Sequence, residues 1–591
     1  MIKATGTYDR NEPLIPIVIG VTGHRDLRNG DRLSLEEQVR KIFNDLRSSY
    51  PHTPVVLLSP LAEGADRLVA QVALDCGCRL IVPLLEEGEA NVTETDTESS
   101  RAEYLELVKK ADRVVSIPLS VREGEPNSDA LRYARIGAYI VRHSHILIAL
   151  WDGVDNGRIG GSAHVVRFKC QGIGEPYAPP RNLLDPIDTG MVYHIVTPRD
   201  SNPTPKGKPF QLVTLFPGDG KKGAASANSE RRIFEQIEAY NADAVELIPK
   251  KSEAICQSRE WLWPGKEESV LTDRARSLLD HYALSDMMAI HFADIRRSAI
   301  GQLFALGLAA VLFFELYAHM FLESRLMLGL YPLTLFIAYL IYRRANSKNY
   351  QNKHLDYRAL AEGLRIQFFW HLAGLDNEVA DHYLRKQRNE LLWLRNAIRF
   401  ANIAAGCADG NQQMTMERDA LSTSKERKLL ELLNTHWIQN QCNFFEKASK
   451  RDRHKLEGFD RWIEIFFVGG LALSVIVVAL DPYMHHLYED FKHAFGVDLH
   501  HLLIVFMGFT PAIAATFEGY AEKSALSDQS KQYEVMSEIF QRAATEMSRC
   551  LVASDYSAAQ GLVLELGKEA LAENGDWVHL HRARPLQVRR A

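Results

Sequence analysis

Leu14-Ile-Pro-Ile-Val-Ile-Gly-Val21 is an apolar run rich in β-branched residues, and the glycine turn Thr22-Gly23-His24-Arg25-Asp26 follows it directly. An amphipathic stretch from Leu35 to Leu46 comes next. β-Branched residues favour strands and glycine allows a tight turn, so the pattern indicates a buried strand, a turn and then a helix. This order predicts the first unit of an α/β fold.

Four further apolar runs with strand-like composition follow: Pro54–Leu58, Arg79–Leu85, Val114–Pro118 and His145–Trp151. Segments with helical patterning separate them. Buried strands that alternate with helices form parallel, doubly wound sheets. We therefore predict an N-terminal Rossmann-like α/β domain over residues 14–200. In such sheets a ligand binds beyond the carboxyl ends of the strands.

Glycine-bearing turns after three of these strands are expected to converge on one pocket. Glycine lets backbone N–H groups approach a phosphate, and the next helix directs its partly positive N-terminus at the same anion. Asp66 is either an acceptor for a ribose hydroxyl or a helix cap, and His164 either lines the pocket or packs at a helix start. No catalytic residue and no metal ligand is predicted. The predicted ligand-binding residues are Gly20, Thr22, Gly23, His24, Arg25, Ser59, Gly64, Asp66, Arg67, Asp152, Gly153, Gly160, Gly161, Ser162 and His164.

The charge and cysteine content exclude several classes of partner. Asp and Glu number 75 against 69 Lys and Arg, and no strongly basic domain is present, so nucleic acid is not an expected partner. The seven cysteines are scattered without a disulfide or zinc pattern. Cys76 and Cys78 lack nearby ligands for zinc, so neither a metal nor a cofactor is predicted. Residues 1–13 have no apolar core, which argues against a secretory signal and places the first domain in the cytoplasm.

Four strongly apolar segments, at 299–321, 326–342, 463–480 and 502–517, occur in the second half of the chain. A spanning helix needs about 20 predominantly apolar residues. A buried core helix usually keeps a polar stripe, whereas residues 465–480 are apolar or small on every face. The sequence therefore predicts an all-α membrane region with four transmembrane helices, with the lipid bilayer as a partner.

Basic residues are concentrated at one end of the spans. Arg296 and Arg297 precede the first span, and Arg343 and Arg344 follow the second. Basic residues also precede the third span, while the loop 481–501 has four Asp or Glu and a single Lys. Cytoplasmic flanks carry the excess of Lys and Arg. We therefore expect two helical hairpins with both termini in the cytoplasm.

The remaining segments complete the predicted domain plan. Pro, Gly and small polar residues between 201 and 230 predict a flexible linker. The stretch Asp356–Trp370 has the pattern of a long amphipathic helix, and the helical tail could pack on a neighbouring subunit, so a homo-oligomer is expected. The plan is a linker at 201–230, a helical connector at 231–297, hairpin 1 at 298–343, a cytoplasmic helical region at 344–461, hairpin 2 at 462–518 and a cytoplasmic helical tail at 519–591.

Three motifs carry a resemblance to a known family. They are Val21-Thr-Gly-His-Arg25, Ser59-Pro-Leu-Ala-Glu-Gly-Ala-Asp-Arg67 and Gly160-Gly-Ser-Ala-His164. Together with Val192-Tyr-His-Ile-Val-Thr-Pro-Arg199 they resemble the SLOG superfamily, which includes DprA and the LOG nucleotide hydrolases. The resemblance covers about residues 14–200. The spans with Tyr357-Arg-Ala-Leu-Ala-Glu362 resemble, more loosely, the SLATT transmembrane effector modules of bacterial conflict systems.

The resemblance implies a nucleotide-derived ligand and leaves two modes of action. LOG enzymes use a glutamate that falls at Arg167 here, and arginine would oppose the positive charge that develops during N-glycosidic cleavage. Glu63, Asp66 or Asp152 could substitute for that glutamate. Other SLOG domains are sensors of ADP-ribose or cyclic ADP-ribose variants.

We therefore expect a sensor and effector of the bacterial inner membrane, driven by a nucleotide second messenger and acting in antiphage defence. A membrane-tethered nucleotide hydrolase and an ion channel with a regulatory SLOG domain are the alternatives.

Overall fold

The computed structural model describes residues 13–85, 98–117, 129–178, 187–217, 223–383, 391–403, 418–480 and 483–584. The chain forms two compact units. We call Met1–Leu284 with Leu360–Thr423 the sheet unit, and Ser285–Ala359 with Ser424–Ala591 the membrane unit.

A seven-stranded sheet is the centre of the sheet unit, in the order β4-β3-β2-β1-β5-β6-β7. All neighbouring strands are parallel except β6 and β7, which are antiparallel. This confirms the predicted N-terminal parallel sheet. The strands are β1 (Ile17–Gly23), β2 (Val55–Leu58), β3 (Arg79–Leu85), β4 (Arg113–Ile117), β5 (Ile146–Trp151), β6 (Val192–Val196) and β7 (Leu212–Leu215).

The sheet has two strands more than the five apolar runs indicate. β6 belongs to the stretch quoted for the family resemblance, but β7 lies inside the segment 201–230 that the sequence predicts to be a flexible linker. That prediction is wrong for Leu212–Leu215, and also for residues 223–230, which are helical. β7 is an apolar run of only four residues at the sheet edge, and the Pro and Gly residues on both sides of it dominate the composition of the segment. Residues 218–222 of the predicted linker lie outside the described chain.

Helices cover both faces of the sheet and continue beyond it. Their buried faces follow the predicted periodicity, as in the first helix, where Leu35, Val39, Ile42, Phe43 and Leu46 are all buried. These helices are α1 (Arg32–Ser49), α2 (Ala65–Asp75), α3 (Glu98–Lys110), α4 (Asp129–His143), α5 (Ser162–Gln171), α6 (Gly223–Leu247) and α7 (Ser252–Leu262).

The rest of the chain is helical in the described residues. Two short 3-10 helices are formed by Asn29–Asp31 and Gly265–Val270, and a π-helical turn is formed by Asn434–Gln439. The helices are α8 (Asp273–His319), α9 (Arg325–Ser347), α10 (Tyr350–Leu372), α11 (Val379–His382), α12 (Leu392–Ile403), α13 (Arg418–Leu433), α14 (Asn440–Leu480), α15 (His485–Phe495), α16 (Leu499–Lys523), α17 (Leu526–Ala553) and α18 (Tyr556–Arg582).

Four helices are long and apolar enough to cross a membrane: α8, α9, α14 and α16 each contain such a segment. They coincide with the four apolar segments of the sequence, so the prediction of an all-α region with four spanning helices is confirmed at the level of length and composition. Large side chains on these segments are exposed, such as Phe336 at 57% and Val478 at 74%. Exposed apolar surface of this extent is expected for helices that contact lipid.

Two helices differ from the form that the sequence predicts. The predicted connector is not separate from the first span, because α8 continues without a break from Asp273 to His319. The predicted amphipathic helix, now α10, is buried on nearly all sides. Its charged residues Glu362 and Arg365 are about 5% exposed and form an ion pair with each other. Such a pair offsets the cost of burying the two charges. The charged face of this helix is therefore buried and not exposed to solvent.

A buried network of ion pairs joins the end of α4 to residues that come more than 230 positions later. Arg142 lies 2.5 Å from Glu378 and 2.6 Å from Asp381, and His143 Nε2 lies 3.4 Å from Glu378. Arg399 pairs with Asp381 at 3.2 Å. Although burial works in the opposite direction, Arg142, His143 and Arg399 hold the pKa of Glu378 well below its usual value. The network therefore fastens α11 and α12 to the sheet.

Candidate functional site

The sheet has one topological switch point, between β1 and β5 in the middle of the strand order. β1 to β4 run outward on one side, and β5 to β7 on the other. Neighbouring crossover connections diverge at such a point and leave a crevice at the carboxyl ends of the strands. His24, which follows β1, donates its backbone N–H to Leu150 O at 3.1 Å, so the two strand ends lie side by side. This crevice is the candidate ligand site.

Asp152, the residue after β5, is the centre of the hydrogen-bond network in this crevice. It is 2% exposed and accepts hydrogen bonds from Asn202 Nδ2 at 2.9 Å and from Val154 N–H at 3.0 Å. Arg199 Nε lies 3.3 Å from Oδ2, and His24 Nε2 lies 3.2 Å from Oδ1. Although burial opposes it, these hydrogen bonds hold the pKa of Asp152 below its usual value. Since its oxygens are shared by four neighbours, Asp152 organises the strand ends.

His24 connects this carboxylate to Arg199. Its Nδ1 lies 3.3 Å from Arg199 Nη1, and its Nε2 lies 3.0 Å from the backbone N–H of Asp152. Burial lowers the pKa of His24; Asp152 raises it, and Arg199 adds to the lowering. Burial thus disfavours the protonated form of this imidazole. Because a guanidinium can only donate, the tautomer with an unprotonated Nδ1 accepts from Arg199 and directs its Nε2–H at Asp152 Oδ1, whereas the other tautomer accepts the Asp152 N–H at Nε2.

The turn between β2 and α2 approaches the end of β1 closely. Gly64 has φ +84°, and a Cβ at this position would lie 2.3 Å from Arg25 O and 2.6 Å from His24 O. The backbone N–H of Ala65 donates to His24 O at 3.0 Å. Only glycine combines this backbone conformation with such a contact. Gly64 therefore sets the position of Arg25 at the mouth of the crevice.

Arg25 is exposed and lies over the ring of Tyr133, with 4.9 Å between the guanidinium carbon and the ring centroid. The turn before α5 contacts the same part of α4. A Cβ on Gly160 (φ +74°) would lie 2.5 Å from Ala130 O and 2.9 Å from Tyr133 Cβ. Stacking on an aromatic ring leaves the N–H groups at the edge of a guanidinium free for an anion. α4 thus links the two turns that border the crevice.

The N-terminus of α5 opens on the crevice without a capping side chain in the described residues. Gly161 has extended backbone (φ −77°, ψ 167°), and a Cβ there would meet only ordinary contacts at 3.5 Å. Ser162 is the first helical residue and is half-buried. An uncapped helix start of ten residues beside an exposed arginine is suited to an anion.

His164 is held by its own helix start. Its Nδ1 accepts a hydrogen bond from Gly160 N–H at 3.0 Å, and its ring lies 4.2 Å from that of Phe168. Of the two predicted roles for His164, these contacts favour packing over a place in the pocket.

Other predicted residues are buried under the turns and form hydrogen bonds that hold them. Ser59 is fully buried and accepts a hydrogen bond from Leu61 N–H at 3.2 Å. Arg67 is 1% exposed and donates to Leu61 O at 3.0 Å and to Ser100 Oγ at 2.7 Å, which directs it toward α3. Asp66 is 5% exposed and accepts a hydrogen bond from Ala62 N–H, so it closes the turn and does not cap the helix.

The predicted glycines and Thr22 have packing roles as well. A Cβ on Gly20 would lie 2.6 Å from Ile140 Cγ2, and one on Gly23 would lie 2.3 Å from Ala65 Cβ. Thr22 is buried within β1. Gly153 has φ +80° and approaches Lys206 O. The structure therefore brings His24, Arg25, Gly64, Asp152 and the start of α5 to the crevice, and places Gly20, Thr22, Ser59 and Arg67 beneath it.

The sequence argument did not nominate Arg199, Asn202, Asp26 or Tyr133. Arg199 follows β6, and because the carboxyl ends of parallel strands meet at one edge, its position after an apolar run is a usable signal. Asp26 accepts a hydrogen bond from Ser201 Oγ at 2.5 Å and lies 3.7 Å from Arg199. Tyr133 gave no sequence signal, since only the packing of α4 brings it to Arg25.

Two further expectations concern chemistry at the site. Arg167, which the family resemblance aligns with the LOG glutamate, pairs with Asp155 at 2.9 Å on the surface of α5. Across the described residues, no group of three His, Cys, Asp or Glu side chains is arranged to hold a metal ion.

The chain matches no model of a protein family, and a search of curated proteins finds no significant match.

Asp66→Asn is expected to stabilise the protein at alkaline pH and to have little effect at pH 4. Burial raises the pKa of Asp66 to about 7, although Ala62 N–H, Arg25 and Arg67 oppose this. A raised carboxyl pKa contributes stability that is complete below the unfolded value and is lost as pH rises to about 7. Asparagine keeps an acceptor for Ala62 N–H and removes the charge. Unfolding of both proteins from pH 4 to pH 8.5 should show a gain for the variant of about 2–4 kcal/mol at pH 8.5. Parallel curves would contradict this assignment.

Proposed function

We propose that this chain is a membrane-anchored receptor for a nucleotide-derived ligand. The observation that carries the proposal is the crevice at the β1 and β5 switch point, where an exposed arginine and the uncapped start of α5 flank the carboxyl ends of the strands. This arrangement is suited to a phosphate group, and a nucleotide adds a base and ribose that can extend along the strand ends. ADP-ribose and its cyclic variants are the first ligands to test, on the strength of the SLOG resemblance.

The receptor binds its ligand in the sheet unit and responds in the membrane unit. α8 begins in the first unit and ends as a membrane span in the second, so ligand binding can act on a span through continuous helix. Assembly of subunits or opening of the spans is the proposed output. The resemblance to SLOG and SLATT proteins favours a homo-oligomer in a bacterial inner membrane, with both termini cytoplasmic, that acts in antiphage defence as the effector of a nucleotide second messenger.

Binding is tested on the full-length protein in lipid nanodiscs by thermal unfolding with ADP-ribose, cyclic ADP-ribose and adenosine. The phosphorylated ligands are expected to raise the midpoint, and adenosine is not. Gly161→Glu adds a carboxylate at the start of α5 without steric conflict, and should weaken binding about a hundredfold by repelling phosphate. Gly161→Gln is the control, because it adds similar volume without charge, and should bind within a few-fold of the parent protein.

The same samples separate the receptor from a membrane-tethered hydrolase. Chromatography of the recovered ligand should show it unchanged, whereas release of base or ribose would support the hydrolase. Stabilisation by none of the nucleotides would contradict both. Dye leakage from liposomes that contain the protein should depend on ligand and be lost in Gly161→Glu. Leakage that does not respond to ligand would instead favour a constitutive channel.

A further inference from the structure

An unusually basic surface lies at the end of the α8 and α9 hairpin that is opposite to its connecting turn. The chain has no acidic residue between Glu323 and Asp356, although it contains Arg343, Arg344 and Lys348. These three side chains are exposed at the end of the apolar helix α9. Basic residues at this position set the orientation of a span. The residues around these three side chains indicate that they also bind an anionic group.

Aromatic contacts fix which residues of α8 lie opposite which residues of the antiparallel chain from α9 to α10. The rings of Phe314 and Tyr331 lie 5.7 Å apart near the connecting turn, and Lys353 Nζ lies 5.1 Å from the ring of Phe292 at the other end. Both contacts follow the same antiparallel register. Arg296, one turn after Phe292, therefore lies at the level of Lys348.

The cations at this level have no acidic partner in the described chain. Arg343, Arg344, Lys348 and Arg296 form no ion pair with any described residue, and Arg296 Nε is buried without a hydrogen-bond acceptor there. Three of the basic residues before the third span differ, because each of the three pairs with a carboxylate. Lys450 pairs with Glu446 at 2.6 Å, Arg451 with Asp452 at 2.8 Å and Arg453 with Glu534 at 2.8 Å. The first hairpin therefore carries positive charge that no described acidic side chain compensates.

An exposed apolar stripe leads directly to these cations. Leu333 is 49% exposed, Phe336 57% and Leu340 47%, and their spacing of three or four residues places them on one face of α9. Arg343 and Arg344 continue that spacing. A surface that is apolar along a span and cationic at its end matches the shape and charge of a phospholipid.

We propose that Arg343, Arg344, Lys348 and Arg296 bind the phosphate headgroup of an anionic phospholipid, whose acyl chains lie along the Leu333, Phe336 and Leu340 face of α9. Guanidinium groups bind phosphate through paired hydrogen bonds, which explains two adjacent arginines at the end of the stripe. The lipid supplies the negative charge that the protein lacks at this level. This site is independent of the nucleotide crevice.

Affinity is measured on the full-length protein in nanodiscs of phosphatidylcholine, by native mass spectrometry with titrated phosphatidylglycerol. Each basic side chain near an anionic surface contributes roughly a factor of five, so Arg343→Gln with Arg344→Gln and Lys348→Gln should weaken binding about a hundredfold. The matched control is Lys450→Gln with Arg451→Gln and Arg453→Gln, which removes as many charges from residues that already have acidic partners. It should change binding by no more than a few-fold.

Three results would overturn the proposal: equal retention of phosphatidylcholine and phosphatidylglycerol, unchanged affinity in the first triple variant, and competition by inorganic phosphate at the concentration of the lipid. The last result would indicate a site for free phosphate. If the triple variant does not insert, Arg343→Lys with Arg344→Lys keeps the charge that directs insertion. Because lysine cannot form paired hydrogen bonds, this variant should bind several-fold more weakly, and unchanged affinity would contradict headgroup recognition by the guanidinium groups.

Discussion

Arg142→Met is expected to lower the free energy of unfolding of the protein by about 3 kcal/mol. Arg142 lies between Glu378 and Asp381, with both ion pairs at about 2.6 Å or less, and its side chain is 17% exposed. Methionine fills similar volume but leaves two carboxylates close together with little water to solvate them. The loss is measured by urea unfolding of the full-length protein in detergent, followed by circular dichroism.

A second substitution separates loss of charge from loss of packing. In the double variant Arg142→Met with Glu378→Gln, only Asp381 remains charged, and it keeps its partner Arg399 at 3.2 Å. Most of the lost stability should therefore return. Lys250→Met, at a pair whose side chains are 60% and 67% exposed, should change stability by less than about 0.5 kcal/mol. Equal losses for the single and double variants would show that packing, and not charge balance, gives Arg142 its effect.

Gly64→Ala is expected to cost about 3 kcal/mol or more and to abolish ligand binding in the crevice. The methyl group would lie 2.3 Å from Arg25 O, and φ +84° with ψ −113° is a conformation that alanine rarely adopts. The end of β1 must shift to relieve the contact, which moves Arg25 away from the start of α5. Thermal unfolding and the nucleotide titration described above measure the two effects.

Gly157→Ala is the matched control for this substitution. Gly157 also has positive φ, at +71°, but no atom lies within 4 Å of a Cβ built there. It therefore carries the conformational cost alone, about 1 kcal/mol, and should leave ligand binding unchanged. If both variants lose similar stability and binding, the close approach of the two turns is not what positions Arg25.

The sequence by itself determined the two halves of this protein. The strands β1, β2, β3 and β5 are apolar runs between glycine turns, and the four spans are long apolar segments with at most one charged residue each. Both patterns report burial or lipid contact over consecutive residues, and such local information is complete in the sequence. The turns after β1, β2 and β5 were predicted to converge for the same reason, since parallel strands end at one edge of a sheet.

Only the tertiary structure decided which side chains meet in the crevice and which support it. Arg199 reaches Asp152 because β6 lies beside β5, and Tyr133 reaches Arg25 because α4 packs across two turns. Arg67 has the charge of a phosphate ligand in the sequence, but it is buried against Ser100. These contacts join residues 30 to more than 100 positions apart, so they depend on strand order and helix packing, which no local pattern encodes.

The same reason explains the two segments, α10 and β7, whose structure differs from the prediction. α10 has an amphipathic pattern, but its charged residues Glu362 and Arg365 are buried. β7 is apolar over only four residues, and its pairing with β6 at the sheet edge makes it a strand within a Pro- and Gly-rich segment. Periodicity specifies which residues prefer water, whereas the surrounding chain decides whether they reach it. Burial can also be compensated by an ion pair such as Glu362 with Arg365.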